Sequence, residues 1–305
     1  MIILYNLKTL NLEASLLSII QKINLLYEKV KAISVNNKWN KDFIEKVKID
    51  FTYNSNKLEG NALTYGETIS FLKNLTVPQK SQKDLLDIEN HQAVLDKVFE
   101  QYDTLFSVEF IKDIHKELMK DYDQWDYEAL PNPGEFKIFK NYTVLPSGQI
   151  KEYMNPHEVE NAMKELINTT NTLLSQSDLN DIKKHPLTIA TAFHNRFVND
   201  IHPFQDGNGR IGRIFSNIVL LKCGFPPIFI ETKDNIEREK YLNTIQESEQ
   251  KNDLIPMIKF CGEKLIESLE RKFFFIQRAM MSENKLKILD VPNIKDNKKS
   301  NGLSL

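Results

Sequence analysis

Cysteine is scarce in this 305-residue chain: there are two, Cys223 and Cys261, far apart and without paired spacing. That argues against a disulfide framework and against a cysteine zinc site. Both fall in apolar helical patterns and read as reduced core residues. An excess of one charge is also missing. The 40 Lys and Arg nearly balance the 42 Asp and Glu, for a formal net charge of −2. Nucleic-acid binding usually shows as a basic excess, so no nucleic-acid partner is expected, and the short run Lys295–Lys299 reads as a solvated tail. Long apolar runs are absent too. The opening stretch MIILYNLKTLNLEASLLSII is broken by Lys8 and Glu13 and followed by Lys22, so none of it could span a bilayer. It also lacks a basic leader and a small-residue cleavage site. The expectation is a cytoplasmic protein with no membrane partner. There is no internal repeat and no low-complexity tract.

What is present is helical periodicity over most of the chain, which is long enough to bury a full core. Residues 9 to 34 put Leu10, Leu12, Leu16, Leu17, Ile20, Ile23, Leu26 and Val30 on one broad face. A second pattern covers roughly 39 to 59, with Trp39, Phe43, Ile44, Val47, Ile49 and Phe51. A third runs from 82 to 101. A fourth, 107 to 120, opens at Ser107. Helical periods return at 156–174, 179–200, 207–222, 234–250 and 253–281, with Asn155-Pro156 and Ser177-Asp178 as helix starts. The exception is 134–153, GEFKIFKNYTVLPSGQIKEY. There Phe136 and Ile138 alternate, then Tyr142 and Val144, and Pro146-Ser147-Gly148 makes a turn, which is a hairpin signal. Residues 286 to 305 are polar and read as a frayed end. The fold class is therefore mostly α with one β-hairpin.

Residues 202 to 213, HPFQDGNGRIGR, concentrate chemistry. Gly207, Asn208 and Gly209 precede Ile211, Ile214, Phe215 and Ile218, whose spacing marks the buried face of a helix. The glycines thus sit at a helix N-terminus, where unpartnered amides and the helix dipole favour an anion. Without side chains they let a phosphate reach the backbone. Arg210 and Arg213 add two guanidinium forks to the same end. That charge suits a di- or triphosphate. Asp206 beside it would repel phosphates unless Mg²⁺ bridged the two, as magnesium commonly does with one or two carboxylates. His202 titrates near neutrality and can accept a proton. A base beside a magnesium-bound phosphate chain suggests transfer of a phosphorus group to a hydroxyl. Phe204 reads as buried beneath the loop, and Asp206 could also cap the helix.

This string resembles the signature of the Fic family, His-x-Phe-x-(Asp/Glu)-Gly-Asn-Gly-Arg-x-x-Arg, at His202, Phe204, Asp206, Gly207, Asn208, Gly209, Arg210 and Arg213. The resemblance covers about 105 to 250. It implies a helical bundle with a β-hairpin flap, and transfer of AMP from ATP to a Ser, Thr or Tyr hydroxyl of a target protein, the chain itself included. It implies that His202 is the base and that Asp206 holds Mg²⁺. It further implies that the 207–209 backbone and Asn208 form the hole for the α-phosphate, that Arg210 clamps the phosphates, and that Arg213 holds the γ-phosphate. A relative with Lys in place of the second glycine acts as a kinase; Gly209 argues against that here. In the family the flap pairs with an extended segment of the target. Many members carry Arg where Lys137 stands.

Upstream, Ser55-x-x-x-Glu59-Gly60 resembles the family's inhibitory helix motif. Ser55 and Glu59 face one side of a helix, which Gly60-Asn61 then ends. The resemblance implies that Glu59 pairs with Arg213 and fills the place of the γ-phosphate. Residues 238–253 resemble the segment that lines the adenine pocket in relatives, with Tyr241 as the candidate base contact; relatives often carry Asn where Glu249 falls. The expected organisation is a helical region over 1–102 carrying the inhibitory helix, a catalytic core over 103–250, and a C-terminal helix and tail over 251–305. The leading expectation is an autoinhibited protein adenylyltransferase. Its alternatives are an enzyme that removes AMP at the same site and a non-catalytic nucleotide sensor. Relatives often form homodimers.

Overall fold

The computed structural model describes residues 14–34, 37–103, 106–121, 133–144, 148–232 and 235–282. The tail at 286–305, the Lys295–Lys299 run, the Pro146-Ser147 turn residues, Leu10, Leu12 and the side chain of Trp39 lie outside the described residues.

Apolar residues at helical spacing fold as expected. Helices α1 (Ala14–Ile33), α2 (Asn37–Leu58), α3 (Tyr65–Leu72), α4 (Gln82–Gln101) and α5 (Val108–Leu118) come first. An antiparallel hairpin follows, β1 (Tyr142–Val144) and β2 (Ile150–Glu152), with Thr143 opposite Lys151. Next come α6 (Pro156–Ser175), α7 (Pro186–Asn195), a π-helical turn (Arg196–Ile201), α8 (Asn208–Lys222), α9 (Asn235–Lys251) and α10 (Ile255–Ser282). Helix α1 packs along α10, α7 along α8, and α2 along α4. One apolar core runs from Leu16 to Ile276. Near its centre Phe106 meets Phe193 and Phe215 edge-on, with centroids 5.3 and 5.2 Å apart, the geometry that aromatic quadrupoles prefer. Among the described residues no helix is long and apolar enough to cross a membrane.

Local sequence sets the helix ends. Ser107 caps α5 by accepting the Phe110 N–H, and Pro156 opens α6 where its missing N–H costs nothing. Thr64 and Glu67 form a reciprocal capping box for α3. That helix was not expected; the Thr-x-x-Glu signal was there, but Gly66 sits inside it.

Three expectations need correction. The pattern at 179–200 is not one helix from Ser177-Asp178. Asp178 and Asp181 instead accept the Asn180 and Lys183 N–H groups in turns, and α7 starts at Pro186 behind the cap His185. Phe136 and Ile138 are not in a strand, because the Lys137 N–H goes to the Pro203 carbonyl, 2.9 Å away. Cys223 is half-buried at the end of α8; Cys261 is buried, and both are free thiols.

Burial draws five histidines, His91, His115, His185, His194 and His202, below the ordinary imidazole range, to about 4 for His115, His185 and His202 and about 3 for His194. The unfolded chain protonates them near pH 6.5, so between about 6.5 and 4 the unfolded state binds more protons and stability falls as pH falls. Each ring contributes up to roughly 1.4 kcal/mol per pH unit in that window. Urea unfolding should therefore weaken steeply from pH 6.5 to 4.5, with uptake of three or more protons. A flat profile would contradict neutral buried imidazoles.

Candidate active site

Two helix ends meet here. The C-terminus of α2 closes with bonds from Gly60 N–H to the Lys57 carbonyl (3.1 Å) and from Asn61 N–H to the Asn56 carbonyl (3.1 Å). This is the Schellman pattern, which needs the left-handed φ of 95° that Gly60 supplies. It leaves Glu59 as the last residue before the turn, beside the negative end of its own helix, where a carboxylate is disfavoured. Opposite lies the N-terminus of α8. Gly207 begins it with no capping side chain, so the first-turn amides keep their positive field. A Cβ added at Gly209 would strike the Glu59 carboxylate. The glycine therefore lets that carboxylate rest on the helix tip.

Arg213, one turn into α8, completes the contact. Its Nη2 donates to Glu59 Oε1 at 2.6 Å and to the Ser55 carbonyl at 3.0 Å, and its Nε donates to Ser55 Oγ at 3.1 Å. Burial opposes ionisation of Glu59, but the Arg213 and Arg210 guanidiniums outweigh it and hold the carboxyl below its ordinary range. Part of Glu59 still faces an open cavity: its side chain is 42% accessible.

His202 follows the π-helical turn. Its backbone is left-handed, φ 48° and ψ 62°, with its N–H on the Phe197 carbonyl at 2.8 Å. A π turn is a common device at functional sites. Here it ends α7 so that the imidazole turns toward the α8 tip. Nδ1 lies 2.8 Å from the Val198 carbonyl. A carbonyl only accepts, so Nδ1 carries the proton and Nε2 keeps its lone pair. Burial pushes the ring down to about 4, helped by Lys137 and Lys151 and opposed by the Val198 bond and Glu59. The imidazole is neutral at pH 7.

The loop between them is held from below. Asn208 accepts the Phe204 N–H (2.9 Å) and donates to the Phe204 carbonyl (2.7 Å), so its side chain shapes the loop. Phe204 is fully buried and stacks on His115, centroids 3.7 Å apart. His115 Nδ1 accepts the Gly134 N–H (2.9 Å), so Nε2–H faces the Asp206 carbonyl (3.1 Å). Lys137 is buried and donates to Asn141 Oδ1 (2.7 Å) and to the Ile201 carbonyl (3.1 Å); burial brings its amine down to about 8. Lys137 and Asn141 thus fasten the hairpin to the His202 loop. Asp206 is half-exposed at 47%, with Oδ1 accepting the Gly207 N–H. Arg210 faces inward, 3% exposed and paired with buried Asp87.

The result is a cavity of about 530 Å³ whose lining includes Glu59, His202, Gly209 and Arg213 together with Leu58, Leu242, Ile245 and Glu249. Tyr241 also lines it but is largely buried, its hydroxyl 2.9 Å from His194 Nε2. Lys151 on β2 pairs with Glu249 on α9 at 2.7 Å. The structure brings together His202, Gly209, Arg213 and Glu59, with Ser55 and Gly60 behind them. It does not bring the Arg210 side chain or the Asn208 amide to the cavity wall. Sequence reasoning missed Asp87, His115 and Tyr153, whose ring lies on His202. Among the described residues no cluster of three His, Cys, Asp or Glu could hold a metal. Asp206 alone suits an ion held mainly by phosphate oxygens, as magnesium often is.

Known proteins resemble the part of the chain that carries this site. Residues 105–220 match the family model described as Fic/DOC family. Residues 105–220 thus form a Fic domain. It is 26% identical over 256 residues to the protein adenylyltransferase Fic of Nematostella vectensis, covering 82% of this chain and 55% of that one. It is 24% identical to the protein of the same name from Aedes aegypti, covering 81% and 46%. The chain thus spans about half the length of these relatives. A Fic domain containing signaling protein from Bacteroides thetaiotaomicron superposes with a TM-score of 0.75 at 28% identity, over 84% of this chain and 97% of that one. Fic-1 from Caenorhabditis elegans shares the fold, with a TM-score of 0.67 at 20% identity over 85% of this chain and 71% of that chain.

Asp87 compensates a guanidinium that is otherwise deep in protein. Removing one partner of such a pair costs about 3 to 5 kcal/mol. Asp87→Ala should lower the unfolding free energy by that order in denaturant titration. A loss below about 1 kcal/mol would show that Arg210 is not held as described.

Proposed function

We propose that this Fic-domain protein is an autoinhibited adenylyltransferase that moves AMP from ATP to a Ser, Thr or Tyr hydroxyl of a protein. One observation carries the reading. A neutral imidazole with a free Nε2 lone pair shares a cavity with a helix N-terminus and a guanidinium, and a carboxylate sits on that guanidinium.

A triphosphate laid in the cavity has its phosphates at the α8 tip, where the backbone amides and Arg213 take up charge. Arg210 adds positive potential from beneath, and Asn208 shapes the loop around the α-phosphate. The base lies toward Leu58, Leu242, Ile245 and Tyr241. Magnesium bound by Asp206 would neutralise phosphate charge. The target hydroxyl gives its proton to His202 Nε2 while its oxygen bonds to the α-phosphorus. The bond from that phosphorus to the β-phosphate oxygen breaks, and pyrophosphate leaves. An Nδ1 proton held by Val198 keeps the accepting nitrogen aimed at the cavity. The hairpin presents Tyr142, Val144 and Ile150 to solvent, each about two-thirds exposed, which suits pairing with an extended segment of the target.

Glu59 is the restraint. Its carboxylate takes the Arg213 donors that a γ-phosphate needs and repels that phosphate. The nucleotide can then bind only with its α-phosphate misaligned. Misplacement by about an ångström can cost ~100-fold in rate. The two unpaired cysteines suit a reducing compartment, and we assign the protein to the cytoplasm.

The test incubates wild type, Glu59→Gly and Glu59→Gly/His202→Ala with Mg²⁺ and ATP labelled at the α- or the γ-phosphate. Protein-bound label should come only from the α position. It should rise by ~100-fold in Glu59→Gly and vanish with the histidine. Label retained from the γ position, or equal labelling with and without His202, would overturn the reading.

A further inference from the structure

Tyr153 follows β2 directly and belongs to the hairpin: its N–H donates to the Asn141 carbonyl at 3.2 Å. Its hydroxyl bonds to Thr143 on the opposite strand. Its ring lies flat on His202, with centroids 3.8 Å apart and planes 13° from parallel. Two lysines of the same hairpin region approach the Tyr153 ring. Lys151 Nζ is 5.5 Å and Lys137 Nζ 5.9 Å from its centroid, within range of a cation–π attraction.

His202 needs such a face. The bond from Nδ1 to Val198 fixes which nitrogen carries the proton, but one hydrogen bond leaves the ring free to swing about its own line. A flat aromatic surface in van der Waals contact removes that freedom. The stack is not part of the core. Tyr153 and His202 are both half-buried and both line the cavity, unlike the stacked pair His115 and Phe204 beneath the loop, which are buried.

We infer that Tyr153 is a positioning residue: the hairpin's own aromatic ring sets the plane of the His202 imidazole, so that the base is aimed only while the hairpin lies against the His202 loop. This rests on the reading of His202 as the proton acceptor and deepens it. Occupation of the hairpin by a target strand would then tighten the stack at the moment the hydroxyl arrives, since Thr143 and Tyr153 hang from the two paired strands.

The groups facing the imidazole are Lys137 and Lys151 from the hairpin, Glu59 from α2 and the Val198 carbonyl from the π turn. Removing the Tyr153 ring leaves these in place and opens one face of the imidazole to cavity water. Tyr153→Phe keeps the face and drops the hydroxyl, whereas Tyr153→Ala drops both.

Two readouts decide it. The first is titration of His202 by NMR of histidine-labelled protein without nucleotide, its signal assigned through His202→Ala. In the parent and in Tyr153→Phe it should titrate near the low value set by burial, about 4. In Tyr153→Ala it should move up toward 6.5. The second is AMP transfer in the Glu59→Gly background, where Tyr153→Ala should lower kcat by ~10- to 100-fold and Tyr153→Phe by less than about 2-fold. An unmoved His202 titration in Tyr153→Ala would overturn the inference. So would a Tyr153→Phe defect as large as that of Tyr153→Ala, since the hydroxyl and not the stack would then do the positioning. If the parent transfers no AMP, the transferase reading falls, and the titration still decides the stack.

Discussion

The site depends on one contact, the carboxylate of Glu59 on the guanidinium of Arg213. Each helix contributes an end that is uncomfortable by itself. Helix α2 stops with a carboxylate at its negative pole, and α8 starts with uncapped amides and an arginine at its positive pole. Set tip to tip, the two cancel. Ser55 makes the register exact to within one turn by binding the same guanidinium from one turn earlier on α2. Gly60 lets the chain turn away at once, and Gly209 leaves room for the carboxylate. An anion that enters the cavity meets a guanidinium that already holds a carboxylate.

Beneath that contact lies a layer of neutral or paired polar groups. Burial makes charge expensive unless it is compensated, and the layer obeys this. Arg210 has Asp87, Lys137 has Asn141 and a carbonyl, and the histidines are neutral. His115 and Asn208 then use their two-ended hydrogen bonding to tie loop to helix and loop to hairpin root. The loop that carries Asp206 is thereby fixed on both sides. His202 is the one member of this layer that turns its unprotonated nitrogen outward.

Much of this was legible in the chain. The 3.6-residue spacing of Ile211, Ile214, Phe215 and Ile218 located the tip of α8, and Ser55, Glu59 and Gly60 located the end of α2, because both are patterns over a few consecutive turns. The hairpin was legible at Tyr142 and Val144. It failed at Phe136 and Ile138, where the backbone bonds to Pro203, a residue far away in sequence. The start of α7 was misread because Asp178 and Asp181 are equally good at making turns and at capping helices, and only packing chooses. Asp87 could not be read at all: it sits 123 residues from Arg210 in an ordinary amphipathic helix. His115 and Tyr153 were hidden for the same reason, since neither carries a local motif. The inward turn of the Arg210 side chain follows from Asp87 and was equally out of reach.

The competition at Arg213 can be measured without any target protein. Calorimetric titration of wild type and Glu59→Gly with ATP and with AMP compares a ligand that reaches Arg213 with one that does not. If the carboxylate holds the place of the far phosphates, removing it tightens ATP by ~10-fold or more, the scale of one lost repulsive contact of about 1.4 kcal/mol, and changes AMP by less than about 2-fold. Equal gains for ATP and AMP, or none for ATP, would contradict it.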